Sequence, residues 1–141
     1  MTESKDFELY DLGDFTLKSG STIPKAQIAY KTFGSSSSPA IIYPSWYSGL
    51  ISDNFWLIGK DKTLNPDKYF IIVTALFGNS QSTSPSNRED INPFPQVTFY
   101  DNVKAQHRLV TEKLGVKHAR AVLGWSMGAG QVCRSRSSLR P

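Results

Sequence analysis

The stretch ARAVLGWSMGAG, Ala119 to Gly130, decides how the rest of the chain is read. Ala119 to Ser126 reads as a short buried strand, and it runs straight into GWSMG (Gly124 to Gly128), a match to Gly-x-Ser-x-Gly. That pattern recurs by chance, so its context has to carry the argument. Here a strand precedes it and a potential helix follows. A sharp strand-to-helix turn lifts a serine hydroxyl above the carboxyl edge of a sheet. Glycine at 124 and 128 lets neighbouring backbone approach that turn without a Cβ clash. The following helix points the positive end of its dipole at a developing oxyanion. Ser126 is therefore a candidate nucleophile. The alternative is a glycine-rich turn with an incidental serine.

Upstream, TFYDNVKAQHRLVTEKLG (Thr98 to Gly115) has helical period. Thr98 can cap the helix, with Asp101 three residues on, near the capping-box spacing. Phe99, Val103, Val110 and Leu114 are expected to form one face, and Gly115 the stop. Further back, AQIAYKTFG (Ala26 to Gly34) alternates as a half-buried strand does. AIIYP (Ala40 to Pro44) and KYFIIVTALF (Lys68 to Phe77) are continuous apolar runs, which suit strands covered on both faces. Gly78 to Gln96, dense in Ser, Asn and Pro, is expected to be a long loop, and such loops are often functional. Four strands, a helix, a fifth strand and the turn at Ser126 indicate an α/β sheet entered through a β-rich N-terminal half. Ala40 to Pro44, residues 69–76 and residues 119–124 are expected as neighbouring parallel strands.

The chain has 141 residues, enough for one domain, with a globular balance of 39% hydrophobic and 20% charged residues. Its net charge of +4 is local. Three of the 16 basic residues, Arg134, Arg136 and Arg140, lie in the tail RSRSSLRP, which leaves 13 against 12 acids elsewhere. Such a tail reads as solvated chain, so no nucleic-acid partner is expected. The polar, acidic start MTESKDFELYDLGD lacks the features of a signal peptide. Ile71 to Phe77 is too short to span a bilayer. Cys133 is the single cysteine, which rules out an internal disulfide. The expected location is cytoplasmic, with no membrane partner.

Five segments occur together in order: PSWYSG (Pro44 to Gly49), NFWLIG (Asn54 to Gly59), FGNSQSTSPSN (Phe77 to Asn87), FPQVTFYDNVKAQHRLVTEKLG (Phe94 to Gly115) and VLGWSMGAGQ (Val122 to Gln131). Over residues 7–131 the chain resembles the N-terminal half of the homoserine O-acetyltransferase family, a branch of the α/β-hydrolase fold. The resemblance implies acyl transfer from coenzyme A to an alcohol through a serine ester, or esterase activity as in some relatives. It implies Ser126 as nucleophile, with the backbone N–H groups of Met127 and Trp46 as oxyanion donors. The alternative for the Trp46 and Tyr47 side chains is aromatic packing at the sheet edge. No metal or resident cofactor is implied; acyl-coenzyme A is a co-substrate, and the partners are a small-molecule acyl donor and acceptor. One departure bears on the acceptor. Homoserine acetyltransferases usually carry glycine where this chain has Trp125 and Ala129, and a bulky Trp125 reshapes the pocket floor.

In this fold the acid and then the histidine follow the nucleophile in chain order. After Ser126 the chain reads MGAGQVCRSRSSLRP, with no Asp, Glu or His. His118 is at the other end of the same strand; eight residues at about 3.3 Å each put it ~25 Å away. His107 lies at the rim of the helix's apolar face. Cys133 has no adjacent base, so it is a poor alternative nucleophile. The expected organisation is an α/β-hydrolase fold truncated after the elbow, residues 1–131, with a divergent basic tail over 132–141. Two functions stay open: a serine-dependent acyltransferase or esterase, or a non-catalytic fragment or binding remnant. A nucleotide-binding domain is disfavoured, since neither G-x-G-x-x-G nor G-x-x-x-x-G-K-[ST] occurs. The strand ending at Ser126 is expected to present a free edge through which copies associate.

Overall fold

Ile41, Ile42 and Tyr43 in one run, and Ile71, Ile72 and Val73 in the other, place apolar side chains on both sides of an extended backbone. Such strands are stable only between two layers. The computed structural model describes residues 6–138, with side chains as far as Val132. It contains five strands, β1 (Glu8–Thr16), β2 (Thr22–Phe33), β3 (Ala40–Pro44), β4 (Phe70–Thr74) and β5 (Ala119–Val122), and two α-helices, α1 (Phe99–Arg108) and α2 (Met127–Ser138). The sheet order is β1-β2-β4-β3-β5. β4, β3 and β5 run parallel, with Ala40 opposite Phe70 and Ala119, while β2 and β1 are added antiparallel.

The two faces of the parallel strands pack against different layers. Ala40, Ile42, Phe70 and Ile72 point to Val110, just beyond α1. Ile41, Tyr43, Ile71 and Val73 point the other way, onto Ile51, Ile58 and Leu64 around a 3-10 helix, Ile51–Leu57. Every residue of β3 and β4 is buried. This is the layered α/β arrangement expected from the apolar runs.

Helix α1 starts as its sequence requires. The Asp101 N–H donates to Thr98 Oγ1, and the Thr98 N–H donates to Asp101 Oδ2 at 2.9 Å, closing the capping box. The Lys18 N–H also donates to Asp101 Oδ1 at 2.7 Å, which ties the β1–β2 connection to the helix. After Arg108 the helix widens into a π turn, Leu109–Lys113, and stops at Gly115, where φ is +66°. The expected apolar face needs one correction. Val103 and Val110 are buried, but Phe99 is 41% exposed: as the first residue of α1 it lies against Gly130 of α2 and joins none of the buried core clusters.

Three boundaries also differ from expectation. The unnamed first strand is Glu8–Thr16, irregular at Gly13, where the pairing register shifts. Ala75 to Phe77 leave the sheet after β4 yet stay buried. β5 is not a buried strand: Arg120 and Ala121 are exposed and Ala119 and Val122 half-buried, because among the described residues only β3 flanks it.

Candidate active site

Parallel strands end on the same side, so the carboxyl ends of β4, β3 and β5 deliver Ala75–Phe77, Ser45–Trp46 and Gly124–Ser126 to one edge. Ser126 sits at that edge, in the turn between β5 and α2, with φ +52°. A non-glycine residue in this left-handed region is strained, and such strain concentrates at functional sites. The turn is tight. A Cβ on Gly124 would lie 2.7 Å from the Gly128 carbonyl oxygen, and one on Gly128 would lie 2.8 Å from that of Pro44. Both glycines are therefore needed to bring α2 onto the end of β3. Ser126 is exposed, and its hydroxyl has no hydrogen-bond partner among the described residues. Its carbonyl accepts from the Ala129 N–H at 3.0 Å, starting α2.

The neighbouring loop after β3 is held by buried amides that the sequence did not single out. Asn54 donates through Nδ2 to Ser45 Oγ at 3.0 Å and to the Leu50 carbonyl. Gln131 of α2 donates to the Ser45 carbonyl, and Gln106 of α1 donates in turn to Gln131 Oε1. Asn79 donates to the Gly49 carbonyl, and Gln81 Oε1 accepts from the Ile51 N–H at 2.8 Å. These donors tie the loop to the 3-10 helix and to the α-helices alike. Asn54 Oδ1 and Gln106 Oε1 stay buried without a partner among the described residues, so the network is only partly satisfied. The one sequence signal was polar residues inside otherwise apolar elements, such as Gln106 on the buried side of α1.

The expected oxyanion donors lie on these two segments. Met127 opens α2, where helix geometry leaves its N–H unpaired, and Trp46 follows Ser45 in the loop. Neither N–H has a partner among the described residues. Aromatic packing describes the Trp46 side chain: its ring meets that of Trp125 edge to face at 5.7 Å, and Trp125 packs on Trp56 at 5.3 Å. It does not describe Tyr47, which is 68% exposed. Beside Tyr47 and Met127 opens a groove of about 540 Å³.

The serine-rich loop after β4 has a structural task. Ser82 Oγ accepts from the Ala29 N–H and Thr83 Oγ1 from the Gln27 N–H, so its hydroxyls continue the pairing of β2 beyond the end of β4. Asn87 bonds the backbone of Ser80, Ser82 and Ser84, closing the loop on itself.

No described histidine or carboxylate is hydrogen-bonded to Ser126. His118 directly precedes β5 at the opposite edge of the sheet, and His107 is exposed on α1. Both line a separate cavity of about 60 Å³. The Cys133 side chain, and residues 139–141 of the expected tail, lie outside the described residues. Among the described residues no cluster could hold a metal ion.

The sequence and the fold are similar to those of known proteins. The chain is 39% identical over 136 residues to a probable esterase of Corynebacterium glutamicum, covering 89% of this chain and 38% of that protein. It is 32% identical over 152 residues to a homoserine O-acetyltransferase of Methanobrevibacter ruminantium, covering 92% of this chain and 30% of that protein. The chain belongs to the homoserine O-acetyltransferase-like family of α/β-hydrolases. The acetyl esterase MekB superposes with a TM-score of 0.87 at 37% identity, over 92% of this chain and 39% of MekB. No protein-family model matches. The chain thus spans less than two fifths of the length of these α/β-hydrolase relatives.

Proposed function

We propose that this chain carries the nucleophile and oxyanion elements of a serine-dependent acyl-transfer or ester-hydrolysis site. The observation that carries the reading is Ser126: a strained residue with an exposed, free hydroxyl, between a parallel strand and a helix N-terminus. Ser126 Oγ attacks the acyl carbon of an ester or an acyl-coenzyme A, and the alcohol or thiol leaves. Water or an acceptor alcohol then releases the acyl group in a second step. The N–H groups of Met127 and Trp46 receive the oxyanion, reinforced by the dipole of α2. No described helix is long and apolar enough to cross a membrane, and we place this chemistry in the cytoplasm.

A serine hydroxyl is a weak nucleophile without a base to take its proton. Since no described residue supplies one, slow acylation without efficient turnover is expected of this chain. Triad deletions retain about 10³–10⁴-fold acceleration over water from the oxyanion hole and binding. The test is intact-mass detection of an acyl adduct after incubation with p-nitrophenyl acetate, for the chain and its Ser126→Ala variant. An adduct on the parent alone supports the reading. No adduct on either favours the second reading, a non-catalytic binding remnant, which the missing base motivates. Turnover at enzyme-like rates would mean that a base exists within the chain.

A further inference from the structure

We propose that the groove beside Met127 takes the apolar chain of a neutral ester, longer than an acetyl or ethyl group, and turns away zwitterionic amino-acid acceptors. This rests on the reading of Ser126 above, since it is the neighbouring backbone that makes the groove part of a site. At about 540 Å³ the groove lies within the range of about 300–1,000 Å³ typical of small-molecule sites. Phe77, Phe94, Val97 and Phe99 supply its walls, with Tyr47 and Met127 at the end that adjoins the nucleophile turn. The Phe99 wall is fixed from behind by α2: a Cβ on Gly130 would lie 2.8 Å from the Phe99 ring.

Of the polar side chains in this groove, Thr98 and Asn102 are already committed; the Met127 N–H and the Tyr47 hydroxyl stay open to an uncharged ester. Thr98 and Asp101 bond each other in the capping box, Asn102 Oδ1 accepts from the Phe77 N–H at 2.9 Å, and Asn102 Nδ2 donates to the Thr98 carbonyl. Among the described residues no Lys, Arg, His, Asp or Glu lines it. An ammonium and a carboxylate entering it would lose water and gain no oppositely charged partner, which disfavours them. A hydrocarbon chain gains by the same transfer. Burial of one methylene raises affinity about fourfold when complete, and less in a groove open on one side.

The chain's two methionines, Met1 and Met127, make a direct test practicable. In protein carrying ¹³C-methyl methionine, the Met127 signal is followed during titration with ethyl acetate, ethyl butyrate, ethyl hexanoate and homoserine. The esters are expected to shift it, with the apparent Kd falling about two- to fourfold per added methylene. Homoserine at the same concentrations is expected to leave it in place. A shift with homoserine, no shift with any ester, or no dependence on chain length would overturn the proposal. A Phe99→Lys variant, which puts an ammonium into the groove, is expected to weaken ethyl hexanoate about tenfold; unchanged affinity would place the binding elsewhere and overturn it too. Failure of the nucleophile reading shows separately, as a missing acyl adduct while the Met127 titration is unaltered.

Discussion

Trp125, the residue before the candidate nucleophile, packs edge to face on Trp46, the residue whose N–H is the candidate oxyanion donor, with ring centroids 5.7 Å apart. The two halves of the proposed site are thereby joined through side chains, and Trp56 stacks on the outer side at 5.3 Å. Aromatic pairs add about 0.5–1.5 kcal/mol each beyond area burial. Trp125→Ala removes two of them, so it is expected to lower stability by about 1–3 kcal/mol in urea unfolding. The chain's three tryptophans all sit in this stack, and its near-ultraviolet circular dichroism should collapse with the substitution. Retained ellipticity and stability would show that the rings do not couple the two segments.

Gly128 lies against backbone, not against a side chain that could move. A methyl group there would be 2.8 Å from the Pro44 carbonyl oxygen and 3.3 Å from that of Ser45. Gly128→Ala therefore has to push α2 away from β3. Overpacking of this kind costs about 1–3 kcal/mol, and the thermal midpoint should fall accordingly. An unchanged midpoint would mean that α2 sits farther from β3 than described.

How much of this was legible in advance depends on where the cause lies. β3 and β4 were readable because their own residues are apolar on both faces, and Thr98 and Asp101 announced the start of α1 within four residues. The turn at Ser126 was readable because glycine at 124 and 128 has a local steric reason. The network through Ser45, Asn54, Gln106 and Gln131 was not, since Gln131 reaches a carbonyl 86 positions earlier in the chain. The exposure of β5 was hidden for a related reason. ARAV has the composition of a buried strand, and only the sheet order shows that one side has no neighbour among the described residues. In β1 the break at Gly13 disrupts the alternation that would have revealed a strand.

The free side of β5 leads to a prediction about association. The Leu123 N–H donates to the Ile42 carbonyl, so by alternation the Val122 N–H and carbonyl face away from β3, along an edge with no partner among the described residues. An unpaired row of this kind is a template for another strand. Concentration-dependent association is expected in size-exclusion chromatography with light scattering. Val122→Pro removes that outward donor and spares the N–H groups that pair with β3, and it should reduce association. A parent chain that stays monomeric at high concentration would contradict the edge mechanism.

One ion pair gives a pH dependence of known sign. The Arg108 guanidinium hydrogen-bonds Glu112, with Tyr10 as a further donor, and holds the Glu112 carboxyl below its ordinary value of 4.5. A depressed carboxyl contributes stability above its unfolded-state pKa and loses it as the pH falls through the folded value. Glu112→Gln should therefore be less stable than the parent near neutrality, with the difference fading below about pH 4.5. The pair is exposed, so the difference should be only about 0.3–0.5 kcal/mol and should shrink with added salt. A difference that grew towards acid would reverse the sign and exclude this pairing.

The backbone of Ser126 can be tested apart from its hydroxyl. At φ +52° any residue with a Cβ is strained, by about 1–2 kcal/mol in the left-handed region. Glycine escapes that strain but adds freedom to the unfolded chain, which offsets about 0.4–1 kcal/mol of the gain. Ser126→Gly is thus expected to be about 0.5–1 kcal/mol more stable than Ser126→Ala, although both lack the hydroxyl. Because Ser126 Oγ has no hydrogen-bond partner among the described residues, Ser126→Ala itself should unfold at nearly the parent's denaturant midpoint. A glycine variant no more stable than the alanine variant would mean that the residue is unstrained in solution. The turn would then lose the feature that marks Ser126 as more than an incidental serine.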